Sequence, residues 1–110
     1  MSTPEAKVKA KIKTILKNRN IYFVMPMGTG YGNSGVPDFI CCVNGCFLAI
    51  EAKAKLNKPT ALQLKNLRLI REGEGVAFVI NETNIDELEA YIDGIGSHTG
   101  TSIDNIDDTK

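Results

Sequence analysis

A chain of 110 residues, 43% of them hydrophobic, has room for one folded domain and little else, which excludes both a multidomain machine and wholesale disorder. No apolar run approaches the ~20 residues of a membrane span. The N-terminal MSTPEAKVKAKIK lacks the apolar centre of a secretory signal, so the expected location is the cytoplasm, away from membranes. Net charge is zero, yet residues 1–71 hold twelve of the thirteen Lys/Arg and only three acids, Glu5, Asp38 and Glu51, whereas residues 72–110 hold ten acids and one base. A basic front part suits a phosphate backbone, or is a solvated face with no partner; either way its three carboxylates need individual explanations.

Ser2 or Thr3 caps a first helix, with Pro4 near its first position and Val8, Ile12, Ile15 and Leu16 as one buried stripe. The helix is expected to end near Arg19-Asn20. A short β-rich run, Ile21 to Val24, leads into a glycine-dense loop from Met27 to Gly35. Residues 38–53 read as a β-hairpin, because PDFICCV and CFLAIEAK flank Asn44-Gly45, a two-residue type I′ turn signal. Thr60 caps a second helix, with Gln63 at capping-box spacing, and that helix closes near Gly73-Glu74-Gly75. Val76 to Ile80 is a continuous apolar strand, and Asn84 can cap a last helix reaching about Asp93. The reading is therefore a domain over residues 1–93 and a loose polar tail over 94–110. The element order αβββαβα, with a crossover into residues 76–80, predicts an α/β fold whose mixed sheet is flanked by helices.

Cys41, Cys42 and Cys46 are odd in number and lack a second pair of ligands, so they read as small strand residues in a reducing compartment rather than a zinc site.

The turn fixes the register of the hairpin. With Val43 facing Cys46, counting outward places Asp38 opposite Glu51, with Cβ atoms roughly 5 Å apart on one face. Like charges there are destabilising, and a divalent cation between them removes the repulsion. Lys53 is two residues beyond Glu51 and shares its face, whereas Ala52 points away. Hard oxygen ligands suit Mg2+ or Mn2+, and a nearby ammonium can orient water or stabilise charge developing on a phosphate. The alternative is a surface Glu–Lys pair of little consequence.

Gly35-Val-Pro-Asp38, a strand, a turn, then Ala49-Ile-Glu51-Ala-Lys53 and Gln63 resemble the VRR-NUC branch of the PD-(D/E)xK nucleases, over about Pro4 to Ile80. The chain looks like the stand-alone, phage- or bacterium-type members. The resemblance implies a restriction-endonuclease-like αβββαβ core and hydrolysis of DNA phosphodiesters with Mg2+ or Mn2+. It implies catalytic roles for Asp38, Glu51, Lys53 and Gln63, with the metal held by Asp38, Glu51, the backbone carbonyl of Ala52 and an acid on the first helix, Glu5. Glu5 could instead form a capping box with Ser2, and Gln63 could serve Thr60 alone. The implied substrate is branched DNA such as a Holliday junction, cut by a homodimer with one site per strand. Open alternatives are a less selective or restriction-type DNase and a non-catalytic DNA-binding protein with a vestigial site. Candidate DNA contacts are Lys7, Lys11, Lys55 and Lys58, with Tyr31 for stacking and Ser34 for a phosphate.

Overall fold

Thr3 decides where the first helix begins. In a computed structural model that describes residues 3–27 and 35–94, Thr3 is extended and its hydroxyl accepts from the Ala6 N–H at 3.1 Å. Helix α1 then runs from Pro4 to Asn18, so Glu5 sits in its first turn and not at the third position a capping box needs. Strand β1 is Tyr22–Val24, β2 is Phe39–Val43 and β3 is Cys46–Ala52. Helix α2 is Ala61–Glu72, β4 is Val76–Ile80 and α3 is Ile85–Asp93. Residues 28–34 and 95–110, which include Tyr31, Ser34 and nearly all of the expected tail, lie outside the described residues.

The strands form one sheet in the order β1-β2-β3-β4, antiparallel except for the parallel pair β3–β4. Two adjacent residues with positive φ, Asn44 at 50° and Gly45 at 82°, make the hairpin turn, as a type I′ turn requires. Its register runs Val43↔Cys46 to Phe39↔Ile50, as the turn dictates. The fold is α/β, with a four-stranded mixed sheet and three helices.

Strand alternation divides the core between two faces. Phe39, Cys41, Leu48, Ile50, Ala52, Phe78 and Ile80 pack with Val8, Ile12 and Leu16 of α1 and Leu88, Tyr91 and Ile92 of α3. The Phe78 and Tyr91 rings meet edge to face at 5.2 Å. Fully buried side chains of this size each contribute about 1.5–3 kcal/mol, so this face carries most of the stability. The opposite face holds a smaller cluster of Ala49, Leu67 and Ala77, with Ile40, Ile70 and Val79 at its margin, under α2. By the same alternation, Glu51 and Lys53 lie on the α2 face, at the C-terminal end of β3.

Asn84 starts α3 by a different route from the one expected. Its side chain makes no cap bond within the helix. Its Oδ1 accepts from the Asn81 N–H at 2.8 Å and its Nδ2 donates to the Val79 carbonyl at 3.0 Å, which ties the helix entry back to β4. No helix among the described residues is long and apolar enough to cross a membrane. Of the three free cysteines, Cys41 is buried in the core, and burial pushes its thiol up to about 12, the state of an inert packing residue.

Candidate active site

The site is assembled where the ladder between β2 and β3 stops. Continued past Phe39↔Ile50, the register sets Asp38 opposite Glu51 and Pro37 opposite Ala52. The Lys53 N–H donates to the Ile80 carbonyl at 2.9 Å, on the β4 side. Backbone groups alternate along a strand, so the N–H and carbonyl of Ala52 point the other way, toward β2. There the Ala52 N–H donates to Asp38 Oδ2 at 2.8 Å, which fixes the carboxylate. Pro37 has no N–H to offer the Ala52 carbonyl. The Pro-Asp pair thus ends the ladder and directs a carboxylate and a backbone carbonyl into the same space.

Glu51 is the one buried charged side chain among the described residues, 2% exposed. Its Oε1 has no hydrogen-bond partner among the described residues, and its Oε2 lies 3.9 Å from Lys53 Nζ. Burial first, then the Asp38 charge, pushes the Glu51 carboxyl up to about 8 against the opposing pull of Lys53. Desolvation therefore outweighs the ion pair. A buried carboxyl oxygen without a partner costs about 1–3 kcal/mol or more, and such an oxygen is open to a water or a cation.

The oxygens of Asp38, Glu51 and the Ala52 carbonyl fit a hard divalent cation such as Mg2+ or Mn2+. Among the described residues no three His, Cys, Asp or Glu side chains form a metal-ligand group. A cation here would rely on two side chains plus backbone. Glu5, expected as a further ligand, borders the site: its charge acts on Glu51, its Oε2 is 3.8 Å from Lys9 Nζ, and that same ammonium is 3.5 Å from Asp38 Oδ1. The Glu5 side chain is 34% exposed.

No known family model matches this chain, and no curated protein does. The assignment of the site rests on its own geometry.

The remaining candidates divide. Gln63 completes the capping box: its Oε1 accepts from the Thr60 N–H at 2.8 Å while its own N–H donates to the Thr60 hydroxyl at 3.1 Å. Its carbonyl oxygen is engaged at the helix start, in the capping role the sequence also allowed. Lys55 and Lys58 are exposed in the loop that follows β3, at the same end of the sheet as Lys53. Lys7 and Lys11 lie elsewhere, lining a hollow of about 280 Å3 with Pro4, Val8, Glu82 and Ile85, on the opposite flank of α1 from Lys9.

Two contributors carried no clear signal in the sequence. Lys9 was one of five similar lysines on α1, and only its position four residues after Glu5 marked it. Gly35 has φ +92°, and a Cβ there would stand 2.9 Å from the backbone carbon of Leu62 and 3.0 Å from the Gln63 nitrogen. It lets the Gly-Val-Pro-Asp segment press against the first turn of α2, which sets the approach of Asp38 to the sheet.

Proposed function

We propose that this protein is a metal-dependent, structure-selective DNA endonuclease of the restriction-endonuclease-like class, similar to the VRR-NUC nucleases, acting on branched DNA such as Holliday junctions. The observation that carries the reading is the buried Glu51 carboxyl, one oxygen without a partner among the described residues, with Asp38 held on the next residue's N–H and Lys53 beside it. Metal-assisted phosphodiester hydrolysis has a use for each part: oxygens for the cation and an ammonium for the phosphate charge.

In this reading Asp38, Glu51 and the Ala52 carbonyl hold Mg2+ or Mn2+. When bound, the cation polarises a phosphoryl oxygen and makes water a better nucleophile at neutral pH. Asp38 is oriented by the Ala52 N–H and Glu51 by its place in the ladder, so both ligands are fixed before substrate arrives. Lys53 is 12% exposed on its side chain and anchored through its backbone to Ile80, which holds its ammonium at the site to stabilise charge on the phosphate. Lys55 and Lys58 serve as phosphate contacts on the adjoining loop. The two cuts that resolve a junction call for a homodimer.

The test is incubation of purified protein with junctions, flaps, forks and plain duplex in Mg2+ or Mn2+. Cleavage that EDTA abolishes and that favours the branched substrates supports the proposal. Equal cutting of all substrates makes the enzyme a less selective DNase. DNA binding without cleavage in either metal leaves a binding protein and removes the nuclease reading.

A further inference from the structure

The lysine that shares two of the carboxylates has a role the proposed mechanism does not use. Asp38 presents two oxygens: Oδ2 accepts from the Ala52 N–H, and Oδ1 is the one that faces the Lys9 ammonium. Lys9 Nζ stands 3.5 Å from that oxygen and 3.8 Å from Glu5 Oε2. Both distances exceed the 2.7–2.9 Å of a charge-assisted hydrogen bond, so attraction holds the ammonium without locking it. The lysine side chain is 37% exposed on an unbranched stem and is free to move. Glu5 lies four residues before it on α1, the favourable order for a helical ion pair, and offers a second resting place outside the carboxylate pair.

We propose that Lys9 is a resident counter-cation of the site, which neutralises Asp38 in the metal-free protein and moves onto Glu5 when a divalent cation takes Asp38 Oδ1. The inference rests on the reading of Asp38 and Glu51 as metal ligands. Under it Glu5 acts through Lys9 and is not itself a ligand. Lys9 sets the metal concentration at which the site fills, since each bound cation must displace an ammonium.

The experiment is Mn2+ titration of the full chain by calorimetry, without DNA, for wild type, Lys9→Met, Lys9→Gln and Lys9→Arg. Both neutral variants are expected to bind Mn2+ roughly threefold to tenfold more tightly, the scale of losing one or two part-exposed ion pairs. Lys9→Arg should stay near wild type or weaken. Glu5→Gln should lower affinity in the wild-type background and do nothing in Lys9→Met, because its effect passes through the ammonium. Unchanged or weaker binding in both neutral variants overturns the proposal. So does an unchanged Mn2+ affinity with weaker DNA binding in Ca2+, which makes Lys9 a phosphate contact. An equal loss from Glu5→Gln in both backgrounds also overturns it, by making Glu5 a ligand. If wild type itself binds no Mn2+, the metal reading of Asp38 and Glu51 fails first, and the two failures are thereby told apart.

Discussion

Helix α1 carries charged clusters at both ends, and the two obey opposite rules. At its C-terminal end Arg19 grips α3: its Nε donates to Asp93 Oδ1 at 2.7 Å, and one terminal nitrogen donates to Asp93 Oδ2 at 3.1 Å and Glu89 Oε2 at 3.2 Å. This bidentate arrangement satisfies both partners at the surface, and the hydrogen bond from Arg19 holds the Asp93 carboxyl below its usual range. At the N-terminal end the ion pairs Glu5–Lys9, Lys9–Asp38 and Glu51–Lys53 stand at 3.5–3.9 Å, with a buried oxygen unpartnered among the described residues and a carboxyl pushed up to about 8. The first cluster is at rest and fastens two helices. The second is under electrostatic stress, which is where binding or catalysis is to be sought.

Glu51→Gln is the strongest way to break that comparison. Mn2+ affinity and cleavage should collapse, with cleavage falling by about two to three orders of magnitude or more. Metal-free stability should move the other way. Glu51 titrates near 4.5 when unfolded and about 8 when folded, so the folded state binds its proton more tightly. Its stabilisation is complete below about 4.5 and is lost as pH rises through about 8, at no more than about 1.4 kcal/mol per pH unit. Thermal melts of metal-free protein from pH 5 to 9 should therefore decline for wild type and flatten for Glu51→Gln, which should be the more stable of the two at pH 9. A wild-type melt that rises over this window would show that the carboxyl is already satisfied.

The second test separates the lysine of the strained cluster from its carboxylates. Lys53→Met should keep Mn2+ binding in calorimetry and lose cleavage by about two orders of magnitude or more, since an ammonium has no lone pair for a metal. Wild-type cleavage in this variant would remove Lys53 from the chemistry.

Gly35→Ala probes how the strained cluster is supported. A side chain at φ +92°, facing backbone at 2.9 Å, should cost about 1–3 kcal/mol and weaken Mn2+ binding by displacing Asp38. Chemical denaturation beside metal titration reads both effects. A stable variant with wild-type affinity would detach Gly35 from the site.

The smallest effects belong to the satisfied groups. Arg19→Met should lower thermal stability slightly and leave Mn2+ affinity and cleavage unchanged. The Asp93 contribution is present above about pH 3.8, the ordinary value of its carboxyl, and is lost as pH falls below it, opposite in sign to Glu51. Melts between pH 3 and 6 should show the wild-type advantage over Arg19→Met shrinking toward acid. Gln63→Ala should cost about 0.5–1 kcal/mol as a lost cap partner. Cleavage that falls further than unfolding explains would return the glutamine to the site.

Local rules made the elements legible in the sequence. The Asn44-Gly45 turn determined the hairpin register because a type I′ turn with two positive-φ residues joins those strands, and that register, continued one step past Phe39↔Ile50, sets Asp38 opposite Glu51. Strand alternation then set Lys53 on the same face, and capping chemistry set the start of α2 at Ala61. Each of these depends on a few neighbouring residues and a fixed backbone period. Tertiary structure alone decided which lysine of α1 serves the site, because helical spacing gives Lys7, Lys9 and Lys11 equal standing until α1 docks on the sheet and turns one flank toward Asp38. It also decided that Arg19 reaches Asp93, seventy-four residues on, and that Glu51 is deep enough to lose its solvation. Desolvation and long-range pairing belong to the packed molecule, since they depend on what other segments exclude or supply, and no local pattern encodes that.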